Sequence, residues 1–211
     1  MTLEETRKRI LEDDDFVISE TKKLRYLYKL KKEIRYALKR EEVSDTESVA
    51  EHIYGMHVLA SYFLPLEDVN GEWDKLKILE TITWHDMDEI ETGDVISFRK
   101  TAAHLKEAEL ALPKILANLP ESIRQHTERL IREYEERQTP ESRFIKAVDA
   151  AEPLFEIRFE SYKEVMHRNG NTLQNHWETK RKHVEPYPYI YRFVDVLTNV
   201  LEREGYFANE A

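Results

Sequence analysis

Apolar residues in this chain recur at intervals of three and four and almost nowhere at intervals of two, so its core has to be built from helices. Leu24, Leu27, Leu30 (or Lys31) and Ile34 show the helical spacing near the start, and Val49, Ile53, Met56 and Ala60 repeat it. No stretch alternates for long, and no Asn-Gly pair separates β-branched runs. Only 5 Gly and 7 Pro interrupt 211 residues, and the intervening Leu, Glu, Lys, Arg and Ala favour helix. The expectation is an all-α chain forming one domain over 1–211. Its core should span about 20–160, with an N-terminal helical extension and a C-terminal helical segment.

Turn and cap residues divide that chain further. One or two helices are expected up to about Arg40, then a loop at Ser44-Asp45-Thr46-Glu47 with Thr46 or Asp45 as N-cap. The next helix should run from about Ser48 to Leu64 and stop at Pro65. After the turn Asp68-Val69-Asn70-Gly71, a helix from about Asp74 to Ile90 should end at Thr92-Gly93, with glycine as the C-terminal cap. Arg99 to Ala117 reads as a helix in which Pro113 marks a kink or a boundary. A charged helix ends near Arg137, and Thr139-Pro140-Glu141 opens another, with Thr as cap and Pro at the first helical position. Arg168 to Pro188 reads as a polar segment with a turn at Asn169-Gly170-Asn171. A last helix is expected from about Tyr189 to Glu204.

Charge and composition narrow the function. Lys and Arg number 32 against 42 Asp and Glu, a formal charge of −10. That balance argues against a nucleic-acid polymer as partner, because such binding relies on basic patches. A small anion is still compatible with it, since a metal or a local cluster of cations can dominate one cleft. Cys is absent, which removes disulfides, thiolate metal sites and cysteine nucleophiles together. The charged opening (MTLEETRKRI LEDDDF) offers no secretory segment, and no apolar run approaches the roughly 20 residues that span a bilayer. No membrane partner and a cytoplasmic location are the expectations.

The residues with chemical potential lie in three places. His85-Asp86 sits in Ile82-Thr-Trp-His-Asp-Met-Asp-Glu-Ile90, where side chains one residue apart on a helix diverge by about 100°. They can still reach one ion lying between that helix and its neighbours; ordinary hydrogen bonding is the alternative. His52 falls on the apolar face of Val49, Ile53, Met56 and Ala60. Asp149 falls in the apolar stretch Ile145-Lys-Ala-Val-Asp-Ala-Ala, where an unpartnered carboxylate is costly. It wants either a cation or a basic neighbour such as Lys146. Together the two imidazoles and two carboxylates suit one divalent ion of mixed N/O preference: Mn²⁺, Co²⁺, Fe²⁺ or Mg²⁺, with Zn²⁺ as an alternative. Such an ion polarises a phosphoryl oxygen and activates water.

The segments Glu47-Ser-Val-Ala-Glu-His-Ile-Tyr-Gly-Met-His57 and Trp84-His-Asp-Met-Asp-Glu-Ile-Glu-Thr-Gly-Asp94 resemble the HD-domain metal-dependent phosphohydrolases. The likeness is to the 5′-deoxynucleotidase branch, and Leu119-Pro-Glu-Ser and Thr139 to Asp149 extend it. It covers about Thr46 to Glu156. It implies an all-α HD-domain helical bundle, a metal held by His52, His85, Asp86 and Asp149, and release of phosphate from a nucleoside 5′-monophosphate. It also implies catalytic roles for Glu89 and Asp94 and a homodimer. Glu89, three after Asp86 and four after His85, would share their helix face. Its other reading is a solvent-facing residue beside Asp88 and Glu91, and Asp94 could instead cap the next element. Arg35-Tyr36 stands near the place of a substrate clasp, with longer spacing to His52, and also fits a basic helix surface. The competing functions are hydrolysis of a triphosphate, an alarmone or a cyclic diester, and nucleotide sensing without catalysis. His104, His126, His167, His176 and His183 read as surface residues, His57 as core or rim, and the aromatic run Tyr187 to Phe193 as a docking surface.

Overall fold

Residues 2–35, 47–157 and 160–209 are described by a computed structural model, and among them every regular element is helical. The single β-type pairing among the described residues is an isolated antiparallel bridge between Ile34 and Ser48. Helices α1 (Leu3–Glu12) and α2 (Asp14–Leu27) pack on each other, and a short 3-10 turn (Tyr28–Lys31) follows. Next come α3 (Val49–Glu67), α4 (Lys75–Trp84), α5 (Glu89–Thr92), α6 (Ala102–Ala117), α7 (Glu121–Glu136) and α8 (Pro140–Ala151). The chain closes with α9 (Pro153–Glu156), α10 (Glu160–Asn169), α11 (Leu173–Val184) and α12 (Pro188–Arg203). No helix among the described residues is long and apolar enough to cross a membrane.

The hub is α8, which packs against α3, α4, α7, α11 and α12. Phe144, Ile145, Ala147, Val148 and Ala151 along it are wholly buried, as a helix covered on several sides requires. Thr139 caps it through Ser142 N–H and Pro140 occupies its first turn, both as the sequence suggests. A smaller cluster of Met87, Ile115, Leu116, Leu119 and Ile131 lies beneath the turn that follows α4.

Several boundaries depart from the sequence reading. The N-cap of α3 is Ser48, which forms a reciprocal capping box with Glu51; Asp45 and Thr46 lie outside the described residues. Neither Pro65 nor Pro113 stops its helix. Both prolines are exposed, and buried neighbours (Phe63 and Leu64, Ile115 and Leu116) hold the helix in place around the lost hydrogen bond. The polar stretch from Arg168 contains α11, whose buried residues are His176 and Val184, so it carried too little apolar signal to announce itself.

The most consequential departure is at α4. It stops at Trp84 rather than running to Ile90, and the links from Met87 to Trp84, Glu89 to Asp86 and Ile90 to Met87 are tight i→i+3 bonds. The reason is local. His85 Nδ1 lies 2.9 Å from the carbonyl oxygen of Ile82, the acceptor that Asp86 N–H would use in a continuous helix. The imidazole displaces the backbone donor and the helix breaks at the pair. Gly93, at φ 74°, ends α5 in a conformation that a side chain would resist.

Candidate metal centre and cleft

Four side chains from three elements converge at the centre of the bundle. α3 supplies His52, the turn after α4 supplies His85 and Asp86, and α8 supplies Asp149. His85 Nε2 lies 3.0 Å from Asp86 Oδ2, and His52 Nε2 lies 3.8 Å from the same oxygen. Asp149 Oδ1 is 3.4 Å from His52 Nε2. Ligand-type atoms of His52, His85 and Asp86 all fall within 4.8 Å of one another.

The protonation of each ring follows from its other nitrogen. A carbonyl oxygen only accepts, so His85 Nδ1 donates to Ile82 and Nε2 presents its lone pair. His52 Nδ1 lies 2.7 Å from Glu152 Oε2, a carboxylate acceptor, which turns His52 Nε2 toward the two aspartates. Both Nε2 atoms are buried and neither has a hydrogen-bond partner. Buried nitrogens in that condition are costly unless a ligand takes them. With Asp86 and Asp149 they make an N₂O₂ set, and these residues fit a divalent ion.

Asp149 has the basic neighbour that was one of the two partners the sequence left open. Its Oδ2 accepts from Lys146 Nζ at 2.6 Å and from Tyr134 at 3.2 Å, while Oδ1 stays on the imidazole side. Burial works against its charge, yet Lys146 and His52 hold the carboxyl well below the usual range. Asp86 is likewise kept ionised against burial by His85 and His52. Burial and Arg35 pull the pKa of His52 down, but the neighbouring carboxylates of Asp149 and Glu152 overcome them and push it to about 9.

Glu89 does not share a helix face with the pair, because the helix is interrupted before it; it opens α5 instead. It is nonetheless buried, with 4% of its surface exposed, and its Oε2 has no hydrogen-bond partner. Burial, reinforced by Asp86 and Asp94, raises its pKa well above that of an ordinary carboxyl. Asp88 is raised to about 6 by burial and by Asp86. Asp94 lies in the loop after Gly93, with Oδ1 3.8 Å from Arg35 Nε. Arg35 is anchored by Glu47 at 2.6 Å and Glu152 at 3.4 Å, while Tyr36 lies outside the described residues.

A cleft of about 760 Å³ opens over these groups, room for a nucleotide-sized ligand. His85, Asp86, Glu89, Asp94, Arg35 and Asp149 line it, and cations join them from segments the sequence left unremarked: Lys100, Lys180 and Lys182. Lys100 stays charged against burial because it faces Asp86, Glu89, Asp88 and Asp149. Lys180 is enclosed, donates to the carbonyl oxygen of Ala150, and has its pKa lowered to about 8 by burial. Neither residue has a motif that would reveal it; only the folding of α11 across α8 brings Lys180 to the site. Of the histidines read as surface residues, His104 and His183 line the cleft and His176 is buried, bonded to Thr198 at 2.9 Å. His57 is half-buried beside Thr83.

Comparison with known proteins gives one consistent result. A family model described as an HD domain matches residues 27–190. The 5′-deoxynucleotidase HDDC2 of Homo sapiens is 30% identical over 159 residues, covering 74% of this chain and 74% of that protein. Its counterpart of the same name in Xenopus laevis is 31% identical over 150 residues, covering 68% and 70%. A solved structure titled "Predicted metal-dependent phosphohydrolase", from Magnetospirillum magnetotacticum MS-1, superposes with a TM-score of 0.76. It covers 92% of this chain and 96% of its own, at 22% identity, a level that speaks to the fold alone.

Proposed function

Because the chain belongs to the HD-domain family, we propose that it is a metal-dependent 5′-nucleotidase that releases phosphate from (deoxy)nucleoside 5′-monophosphates. The observation that carries the reading is the pair of buried, unpartnered imidazole nitrogens beside Asp86 and Asp149, with a raised carboxyl, Glu89, in the same cleft. His52, His85, Asp86 and Asp149 would hold one divalent ion, with Mn²⁺, Co²⁺, Fe²⁺ or Mg²⁺ preferred to Zn²⁺ by the oxygen share of the set. When bound, that ion supplies Lewis-acid polarisation of the phosphoryl group and acidification of water.

The chain's own residues account for the rest. Hydrolysis forms a bond from water oxygen to phosphorus and breaks the bond from phosphorus to the 5′ oxygen, which must collect a proton. Glu89 faces the cleft with its pKa raised by burial, so it serves as the acid for that oxygen or as the base for the water. Asp94, whose charge raises Glu89, supports the same role. Lys100 and Lys180 bring positive charge against the phosphate dianion. Arg35 lines the cleft and, with Tyr36 beside it in sequence, is the candidate clasp for the substrate. We further take 1–211 as one domain acting as a cytoplasmic homodimer.

A phosphate-release screen with Mn²⁺, Co²⁺ or Mg²⁺ against nucleoside mono-, di- and triphosphates tests this reading. Deoxynucleoside 5′-monophosphates should be the best substrates. The lysines on the cleft wall make triphosphates the competitor to include, and preferential triphosphate turnover would redirect the substrate assignment. No release from any nucleotide would reject an enzymatic role.

A further inference from the structure

Gly55 stands three residues after His52 in the interior of α3, where glycine is disfavoured relative to alanine. The group facing it is Glu152. A Cβ on Gly55 would lie 2.5 Å from Glu152 Oε1 and 3.3 Å from its Cδ, closer than the two groups can approach. The carboxylate has little freedom to yield, because its Oε2 lies 2.7 Å from His52 Nδ1 and 3.4 Å from Arg35 Nη1. Glu47 Oε1 holds the same Nη1 at 2.6 Å. Arg35, Glu47, His52 and Glu152 are all buried.

Glu47, His52 and Glu152 also offer ligand-type atoms within 4.8 Å of one another, which by itself resembles a second cation site. The guanidinium of Arg35 already bridges the two carboxylates there. The trio is therefore a support whose charge is balanced from within the chain. Its link to the metal centre is the hydrogen bond between Glu152 and His52 Nδ1, and that bond determines which way the ring presents Nε2.

We propose that Glu152 is the positioning residue of the metal centre, seated against α3 by the missing side chain of Gly55 and held by Arg35 and Glu47. It fixes the tautomer and orientation of His52, so that Nε2 faces Asp86 and Asp149. A carboxylate accepting from the far nitrogen of a ligating imidazole also raises the basicity of the near one. The inference rests on the metal reading above and adds Gly55, Glu152 and Glu47 to the residues that reading needs.

Two variants perturb the contact from opposite sides. Glu152→Gln removes the charge and keeps the shape, whereas Gly55→Ala keeps every polar group and pushes the carboxylate away. The affinity for Co²⁺, measured by equilibrium titration of the full chain with helix content checked by circular dichroism, should fall about 10–100-fold in each. Because both changes remove one contact, the double variant should be little weaker than the weaker single variant. In the Zn²⁺-loaded protein, the nitrogen-15 spectrum should show a protonated His52 Nδ1 whose proton signal is lost or shifted in either variant. Absence of Co²⁺ uptake by the wild-type chain would overturn the metal reading and this inference with it. Wild-type uptake matched by a folded Gly55→Ala or Glu152→Gln chain, or fully additive losses in the double variant, would overturn this inference alone.

Discussion

Among the described residues, Asp86 is the carboxylate that reaches both bare imidazole nitrogens, at 3.0 Å from His85 and 3.8 Å from His52. Replacing it with Ala removes the bridge between the ligands and the charge that raises Glu89. Asp86→Ala should therefore lose metal uptake and phosphate release together, read by metal content after dialysis and by release kinetics. Glu89→Ala should keep the metal and lower turnover by about 10²–10⁴-fold, the range for loss of a positioned acid or base. Normal metal content in Asp86→Ala would reject its assignment as a ligand. His52 and Asp149 were legible because each is a polar residue in an apolar stretch, a mismatch the sequence displays, and His85-Asp86 because two ligand-type side chains stand side by side. Glu152 was legible in principle, three residues beyond Asp149. It was passed over because α8 had no reason to be followed past its apolar run. Lys100 and Lys180 carry no such mismatch, and only tertiary placement makes them part of the cleft.

Helix ends deliver those residues to the site, so their caps have functional weight. Ser48 opens α3 four residues before His52, accepting from Glu51 N–H at 3.3 Å while Glu51 Oε2 returns to Ser48 N–H at 2.6 Å. Ser48→Ala should lower stability by about 1 kcal/mol, seen as a lower urea midpoint with an unchanged slope. An unchanged midpoint would mean that the Ile34–Ser48 bridge, rather than the cap, sets the start of α3. The hub is more sensitive. Ile145→Ala in α8 deletes a wholly buried side chain and should cost roughly 2–5 kcal/mol in the same assay. Apolar residues at helical spacing located α3 and α8, whereas α6 and α7 were placed by the breaks around them. The sequence reading ran α4 too far because propensity sees Trp84 to Ile90 as helical, whereas His85 takes the backbone acceptor its neighbour would have used. The prolines misled in the other direction, since exposure lets a packed helix run through them.

Across the whole molecule, burial of unprotonated histidine makes the fold sensitive to acid. His176 sits between α11 and α12 with 7% of its surface exposed, bonded to Thr198, and burial aided by Lys180 lowers its pKa from 6.5 to about 2. His183 is lowered to about 4 by burial and nearby cations. The unfolded chain binds a proton at each of these rings below pH 6.5, where the folded chain does not yet do so. Stability is then fully present above pH 6.5 and is lost as pH falls, by up to about 1.4 kcal/mol per pH unit for each proton. Glu89 and Asp88 oppose this slope, since their raised pKa values mean that the native state binds the extra proton over part of the same window. A single pH profile would mix these contributions, but a difference between two chains isolates one ring. His176→Gln keeps a partner for Thr198 and removes the titration. Between pH 6.5 and 4.5 its stability, from urea unfolding, should fall more gently than the wild type by about one proton's slope. Lowered pKa values at Asp86 and Asp149 act below that window, and the raised pKa of His52 acts above it. Parallel profiles for the two chains would show that His176 is protonated without cost to the fold, and that the α11–α12 contact tolerates the charge that burial disfavours.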